Sequence, residues 1–186
     1  MQHPLRVITL GPHGAGKSTF GAALAGRLGI CCLPELGRLH RERVLVDGRH
    51  ALTRDPSFDR AVLADELVRD SELPARAVVE TWHPGNLAYA RARSPGVARQ
   101  LGATVRAAAT AMPGVVVVPL TAAAAVLAAR CSEPGGTAAE RLAFFAAVAD
   151  DALALARRWG LRVLPTLDTG RLSTDACVDL VLEHIG

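Results

Sequence analysis

Gly11-Pro12-His13-Gly14-Ala15-Gly16-Lys17-Ser18-Thr19 fits the spelling G-x-x-x-x-G-K-[ST]. That is the pattern of a loop whose backbone N–H groups wrap phosphate oxygens. Of 21 basic side chains, Lys17 is the only lysine and the rest are Arg. A compact ammonium on a flexible stem reaches between phosphate oxygens as a point charge, where a planar fork does not fit. The pattern has meaning only if a strand enters it and a helix leaves it. Leu5 to Leu10 is a short apolar, β-branched run that reads as a buried strand ending at Gly11. Phe20, Leu24 and Leu28 recur every four residues and Gly29 follows, which predicts a helix over 17–28.

The loop and the helix act together. Gly14 and Gly16 let the backbone turn its N–H groups inward, and the positive end of the helix dipole points at the same place. Ser18 is placed to set its hydroxyl on a Mg2+ ion. Gly11, Gly14, Ala15, Gly16, Lys17, Ser18 and Thr19 are therefore expected to hold a nucleoside triphosphate. His13 either contacts that nucleotide or fills a variable position of the loop.

Composition narrows the class. The chain has 186 residues, enough for one domain with its own core. The apolar run from Val115 to Ala129 is too short for a membrane span and contains Pro119. The N-terminus lacks a signal-peptide pattern, which points to the cytoplasm. Cys31, Cys32, Cys131 and Cys177 show no C-x-x-C spacing, so they read as small core residues in a reducing compartment. Residues 1–110 carry 15 basic against 10 acidic side chains, and residues 111–186 carry 6 against 8. A mildly basic half around the loop suits a small anionic ligand, and it is too weak and too poor in aromatics for nucleic acid.

Strand candidates at 5–10, 30–33, 77–81, 114–119 and 161–165 alternate with helices at 17–28, 57–73, 96–111, 121–130, 138–159 and 173–185. Thr137-Ala138-Ala139-Glu140 spells a capping box. Residues 47–57 read as a polar loop. The alternation predicts a five-stranded parallel sheet covered on both faces, a three-layer α/β/α P-loop NTPase fold, in one domain over 1–186 with a short lid near 130–141.

Two acids follow strands. Glu80 ends Val78-Val79-Glu80 and is expected to hold Mg2+ or its waters, unless it is simply a solvated acid. Glu35 follows the second strand and either accepts the proton of an attacking hydroxyl or starts a helix near its dipole. Arg38, His40 and Arg41 come after Glu35; Trp82, His83, Asn86 and Tyr89 come after Glu80. Both groups are expected at one cleft, as a substrate pocket with Trp82 offering a flat ring, although Trp82 and Tyr89 equally suit a core. With its lysine already used, the chain has no Asn-Lys-x-Asp guanine motif, which leans toward ATP.

The chain resembles the thymidylate kinase and deoxynucleoside kinase superfamily, and within it ribosylnicotinamide-kinase-like ATP-binding (AAA-type) domains. The phosphate loop is the specific element of this resemblance. Pro34-Glu35-Leu36-Gly37-Arg38 resembles the segment that carries the general base in deoxynucleoside kinases. Glu80-Thr81-Trp82 with Asn86-Leu87-Ala88-Tyr89-Ala90 resembles the Asp-Arg-Tyr and Leu-Ala-Tyr segments of thymidylate kinases. Val115 to Leu120, followed by Ala125 to Arg130, resembles the fourth strand and lid entry. Phe144-Phe145 and Leu164 to Asp168 resemble the last helix and the adenine-side loop.

The resemblance implies an ATP-dependent, Mg2+-dependent phosphotransferase acting on a nucleoside or nucleoside-like acceptor. It assigns catalysis to Lys17, Glu35 and Arg130, with Arg130 and Arg141 over the transferring phosphate and Asp168 beside the nucleotide. It also implies a homodimer through the helix at 57–73. Thr81 stands where thymidylate kinases carry the Arg that grips an acceptor phosphate, which favours an acceptor without one. A nucleoside monophosphate kinase, with Arg38 and Arg41 replacing that Arg, and an ATP-binding regulatory NTPase stay open as alternatives.

Overall fold

The computed structural model describes residues 3–46, 55–131 and 137–185. Most of the polar loop at 47–57 and the middle of the lid, 132–136, lie outside the described residues. The elements run β1 (Leu5–Leu10), α1 (Lys17–Leu28), β2 (Cys31–Leu33), α2 (Leu36–Val46), α3 (Pro56–Glu72), β3 (Arg76–Glu80), α4 (Trp82–Arg93), α5 (Pro95–Ala111), β4 (Val115–Thr121), α6 (Ala124–Arg130), α7 (Ala138–Arg158), β5 (Arg162–Val163), β6 (Leu167–Asp168) and α8 (Thr174–Ile185).

All pairings are parallel, in the order β2-β3-β1-β4-β5. β1 lies at the centre, with Ile8 opposite Val79 on one side and Val117 on the other. Successive side chains of a strand point to opposite faces, so these strands feed two cores. Ile8, Val79 and Val117 pack with α4, α5 and α7, whereas Val7, Val78, Val116 and Val118 pack with α1 and α8. Phe20 and Leu24 of α1 are buried on that second face. Each such side chain contributes about 1.5–3 kcal/mol. The result is the three-layer α/β/α arrangement expected from the alternation.

Three readings of the sequence are corrected. The run at 161–165 holds only β5, which stops at Val163, and a further strand the reading did not expect, β6, follows at Leu167, opposite Leu120 of β4. Pro165 lies in the gap and has no N–H to give a ladder. α2 was not predicted, because Pro34 and Gly37 interrupt the pattern, yet Leu39 N donates to Glu35 O at 3.2 Å and the turn forms. α4 was also missed. Its Pro84 and Gly85 look like breakers but fall in its first turn, where a missing N–H costs nothing. The capping box at Thr137 and Glu140 is formed as its spelling predicts.

All four cysteines are free, and Cys177 is buried while Cys31 is exposed, so Cys31 is not the core residue its reading expected. Burial pushes the Cys32 thiol up to about 11. Among the described residues no helix is long and apolar enough to cross a membrane.

Candidate active site

The end of β1 delivers the chain into the phosphate loop. Gly16 stands at φ 83, a conformation glycine adopts without penalty, and closes the N-terminus of α1. Gly14 also has φ 83. Ala15 is fully buried, and its carbonyl accepts from Thr169 Oγ1 at 3.0 Å. Lys17 Nζ curls back to donate to Gly11 O at 3.0 Å and Pro12 O at 3.2 Å. Burial holds this ammonium below its ordinary 10.5, against the opposing pull of Glu35 and Glu80. His13 stacks on Phe145 of α7, ring centroids 5.2 Å apart, so its ring packs against a helix.

At the end of β3, Glu80 is buried and Ser18 Oγ donates to its Oε2 at 2.9 Å. Arg38 Nη1 donates to Ser18 Oγ at 3.1 Å and lies 4.0 Å from Glu80 Oε2. Hydroxyl and carboxylate oxygens are the hard donors Mg2+ takes, with phosphates and water completing its shell. The Arg38 guanidinium lies against both of these groups. Arg38 therefore sits beside Ser18 and Glu80, with Glu42 3.9 Å from its Nε, and does not line the narrow cleft at Glu35. Among the described residues no cluster of three or more His, Cys, Asp or Glu offers a self-sufficient metal cage.

Glu35, just before α2, accepts a hydrogen bond from Thr81 Oγ1 at 3.0 Å. Beyond it lies a narrow cleft lined by Glu35, Arg41, Phe58, Asp59, Asn86, Tyr89 and Arg93. The Arg93 guanidinium lies 5.3 Å from the Phe58 ring and 5.0 Å from the Tyr89 ring, and pairs with buried Asp59. The cleft is reduced to about 10 Å³, room for one water at most. Asn86 Nδ2 donates to Glu66 Oε2 at 2.6 Å, and Glu66 is also bonded by Arg69. Burial holds the Glu66 carboxyl above the ordinary carboxylate range, against the pull of Arg69 and His83.

Trp82 and His83 are not in this cleft. Both are fully buried, and they reach back to Asp70 of α3: Trp82 Nε1 lies 3.0 Å from Oδ1 and His83 Nε2 2.6 Å from Oδ2. They lie in the first turn of α4, whereas Asn86 and Tyr89, further along the same helix, line the cleft. His40, on α2, bonds Asp65 of α3 at 2.9 Å.

On the other side of the loop a cleft of about 260 Å³ is lined by Gly16, Thr19, Phe20, Arg130, Thr169, Leu172, Thr174 and Cys177. Arg130 Nη1 donates to Thr169 Oγ1 at 3.1 Å and lies 3.5 Å from Gly14 O. Arg141 sits in the first turn of α7. Asp168 turns away from the loop, accepting from Gly170 N at 2.9 Å and pairing with Arg171 at 3.5 Å. Its neighbour Thr169 makes the contacts to the loop. The sequence reading missed Thr169, Asp59 and Arg93, and noted Thr81 only for the Arg it replaces; the turn spelling Asp168-Thr169-Gly170 is the one local signal that marked any of the three missed.

The family model of an AAA domain matches residues 6–163. The chain belongs to that family. No curated protein matches it by sequence. Among solved structures it is similar to the NadR protein in complex with NAD and AMP-PNP, with a TM-score of 0.69 and 18% identity, over 98% of this chain and 49% of that one. It is also similar to shikimate kinase from Acinetobacter baumannii in complex with shikimate, with a TM-score of 0.61 and 16% identity over 99% and 93% of the two chains. A third is deoxyadenosine kinase from M. mycoides, with a TM-score of 0.64 and 11% identity over 97% and 98%. The AAA-domain chain spans about half the length of the NadR chain it matches. It shares the fold of these P-loop proteins.

Proposed function

We propose that the protein moves the γ-phosphate of Mg·ATP to a hydroxyl of a nucleoside or nucleoside-like small molecule. The observation that carries this reading is the position of Glu35: a carboxylate between the Lys17 side of the phosphate loop and a second cleft that ends in two aromatic rings.

In this reading Lys17 leaves the Gly11 and Pro12 carbonyls and lies along the β- and γ-phosphates, with the loop N–H groups around them. Ser18 and Glu80 hold Mg2+, which supplies charge neutralisation on the phosphates. Arg38 yields that position. Glu35 takes the proton of the acceptor hydroxyl, with Thr81 holding its second oxygen. Phe58 and Tyr89 offer ring faces to the acceptor once Arg93 swings from between them. The nucleoside end of ATP takes the cleft at Thr19, Leu172 and Cys177, with Arg130 and Thr169 closing the loop. Positioning and charge neutralisation supply most of the rate, since phosphoryl transfer asks little covalent chemistry of the protein.

A nucleoside monophosphate acceptor is the second reading, favoured by Arg41 and Arg93 at the acceptor cleft. A panel of nucleosides, nucleoside monophosphates and small hydroxy acids, scored by acceptor-dependent ADP release, tests both. Stimulation by an unphosphorylated acceptor supports the first reading, and stimulation by monophosphates alone supports the second. ADP release indifferent to every acceptor overturns both in favour of a regulatory NTPase.

A further inference from the structure

Thr81 has φ 69 and ψ −58, and Trp82 has φ 49. They are the only non-glycine residues with positive φ among the described residues, and they are consecutive. A β-branched residue is the least suited to such a conformation. Backbone of this kind persists only where its surroundings over-determine it.

The surroundings here are specific. Thr81 N donates to Thr9 O of β1 at 2.9 Å. The Thr81 methyl fills the space in front of Gly85, where an added Cβ would lie 2.3 Å from it. One carboxylate, Asp70, then holds the next two side chains, with the indole of Trp82 on Oδ1 and the imidazole of His83 on Oδ2. The outcome of this corner is the direction of the Thr81 hydroxyl, which meets Glu35 Oε2 at 3.0 Å.

We propose that Asp70 is a positioning residue for Glu35: its grip on Trp82 and His83 fixes the Thr81 corner, and the Thr81 hydroxyl fixes the carboxylate. Asp70 touches no reacting atom. The inference rests on the reading of Glu35 as the acceptor's base, and it adds a chain of contacts from α3 through the start of α4 to that base.

A double-mutant cycle on the full chain tests it. Asp70→Asn lowers acceptor-dependent kcat about tenfold, a cost in keeping with small misplacement of a reacting group, and leaves Mg·ATP affinity unchanged by calorimetry. Thr81→Val, which keeps the shape and removes the hydroxyl, gives a similar loss. The double variant is no slower than the slower single variant, because both act through one contact. In ¹⁵N spectra of Asp70→Asn the Trp82 indole resonance moves while the spectrum stays dispersed.

Losses that multiply in the double variant, or a Thr81→Val protein with full kcat, overturn the proposal. Thr81→Val also carries the test should Asp70→Asn fail to fold. Glu35→Gln separates the two levels: full turnover there removes the base reading itself, whereas lost turnover there with full kcat in Thr81→Val removes only the role of Asp70.

Discussion

Ser18 and Glu80, 62 residues apart in the chain, are joined by a hydrogen bond of 2.9 Å. The pair ties the start of α1 to the end of β3 and sets a hydroxyl beside a buried carboxylate, the oxygen donors that would hold Mg2+ in the proposed reading. Glu80→Gln keeps the hydrogen bond and removes the charge. We expect it to raise the Mg2+ concentration needed for half-maximal activity by about tenfold or more, in the range seen when oriented metal partners are altered. Titration of activity against Mg2+ at fixed ATP measures this, and an unshifted midpoint contradicts the assignment.

Glu35→Gln is expected to lower acceptor-dependent turnover by about 10²-fold or more, the usual contribution of a positioned base. Mg·ATP affinity stays as in the parent, because in the proposed reading Glu35 serves the acceptor hydroxyl and makes no contact with the nucleotide. Single-turnover product formation and calorimetry together separate the two effects.

Lys17 gives a pH signature. Its folded-state pKa is lowered below 10.5, chiefly by burial. Between the lowered value and 10.5 the unfolded chain holds a proton that the folded chain has released, so this group makes stability rise with pH across that window below 10.5. Below the window the charged ammonium is buried at a cost. Thermal unfolding of the nucleotide-free protein across the window should therefore show an upward contribution that Lys17→Met lacks. Identical pH profiles for the two proteins contradict this account of the ammonium.

Thr169, rather than Asp168, joins the nucleotide-side loop to the phosphate loop. Thr169→Val removes a hydroxyl within reach of Ala15 O, Thr121 O and Arg130, worth about 0.5–1.5 kcal/mol per net hydrogen bond. A weakening of ATP binding by about three- to tenfold is expected. Asp168→Asn, whose contacts are to Gly170 and exposed Arg171, should change it less. Equal effects in calorimetry would contradict the placement.

The parts of the architecture written in local pattern were legible. β1, the loop and α1 form one unbroken signal, and the ends of α1 fall where Gly16 and Gly29 put them. The strand acids Glu35 and Glu80 were also readable, because an acid directly after an apolar run must leave the sheet at its carboxyl edge. What was not readable depends on contacts distant in sequence. His83 looked like a cleft residue by its neighbourhood and Trp82 suited cleft and core alike, and only the position of Asp70 on α3 shows that both turn inward. Arg93 between Phe58 and Tyr89 joins residues from two helices, with no spacing rule to announce it. α2 and α4 were hidden because each begins around a Pro or Gly that suits a first turn as well as a loop.

Calorimetric titration of Mg·AMP-PNP into the intact protein and into Lys17→Ala tests the central claim most directly. The account predicts saturable one-to-one binding to the parent and its loss, or a weakening of at least about a hundredfold, when the ammonium is removed. No binding to the parent, or equal affinity in both proteins, would contradict it.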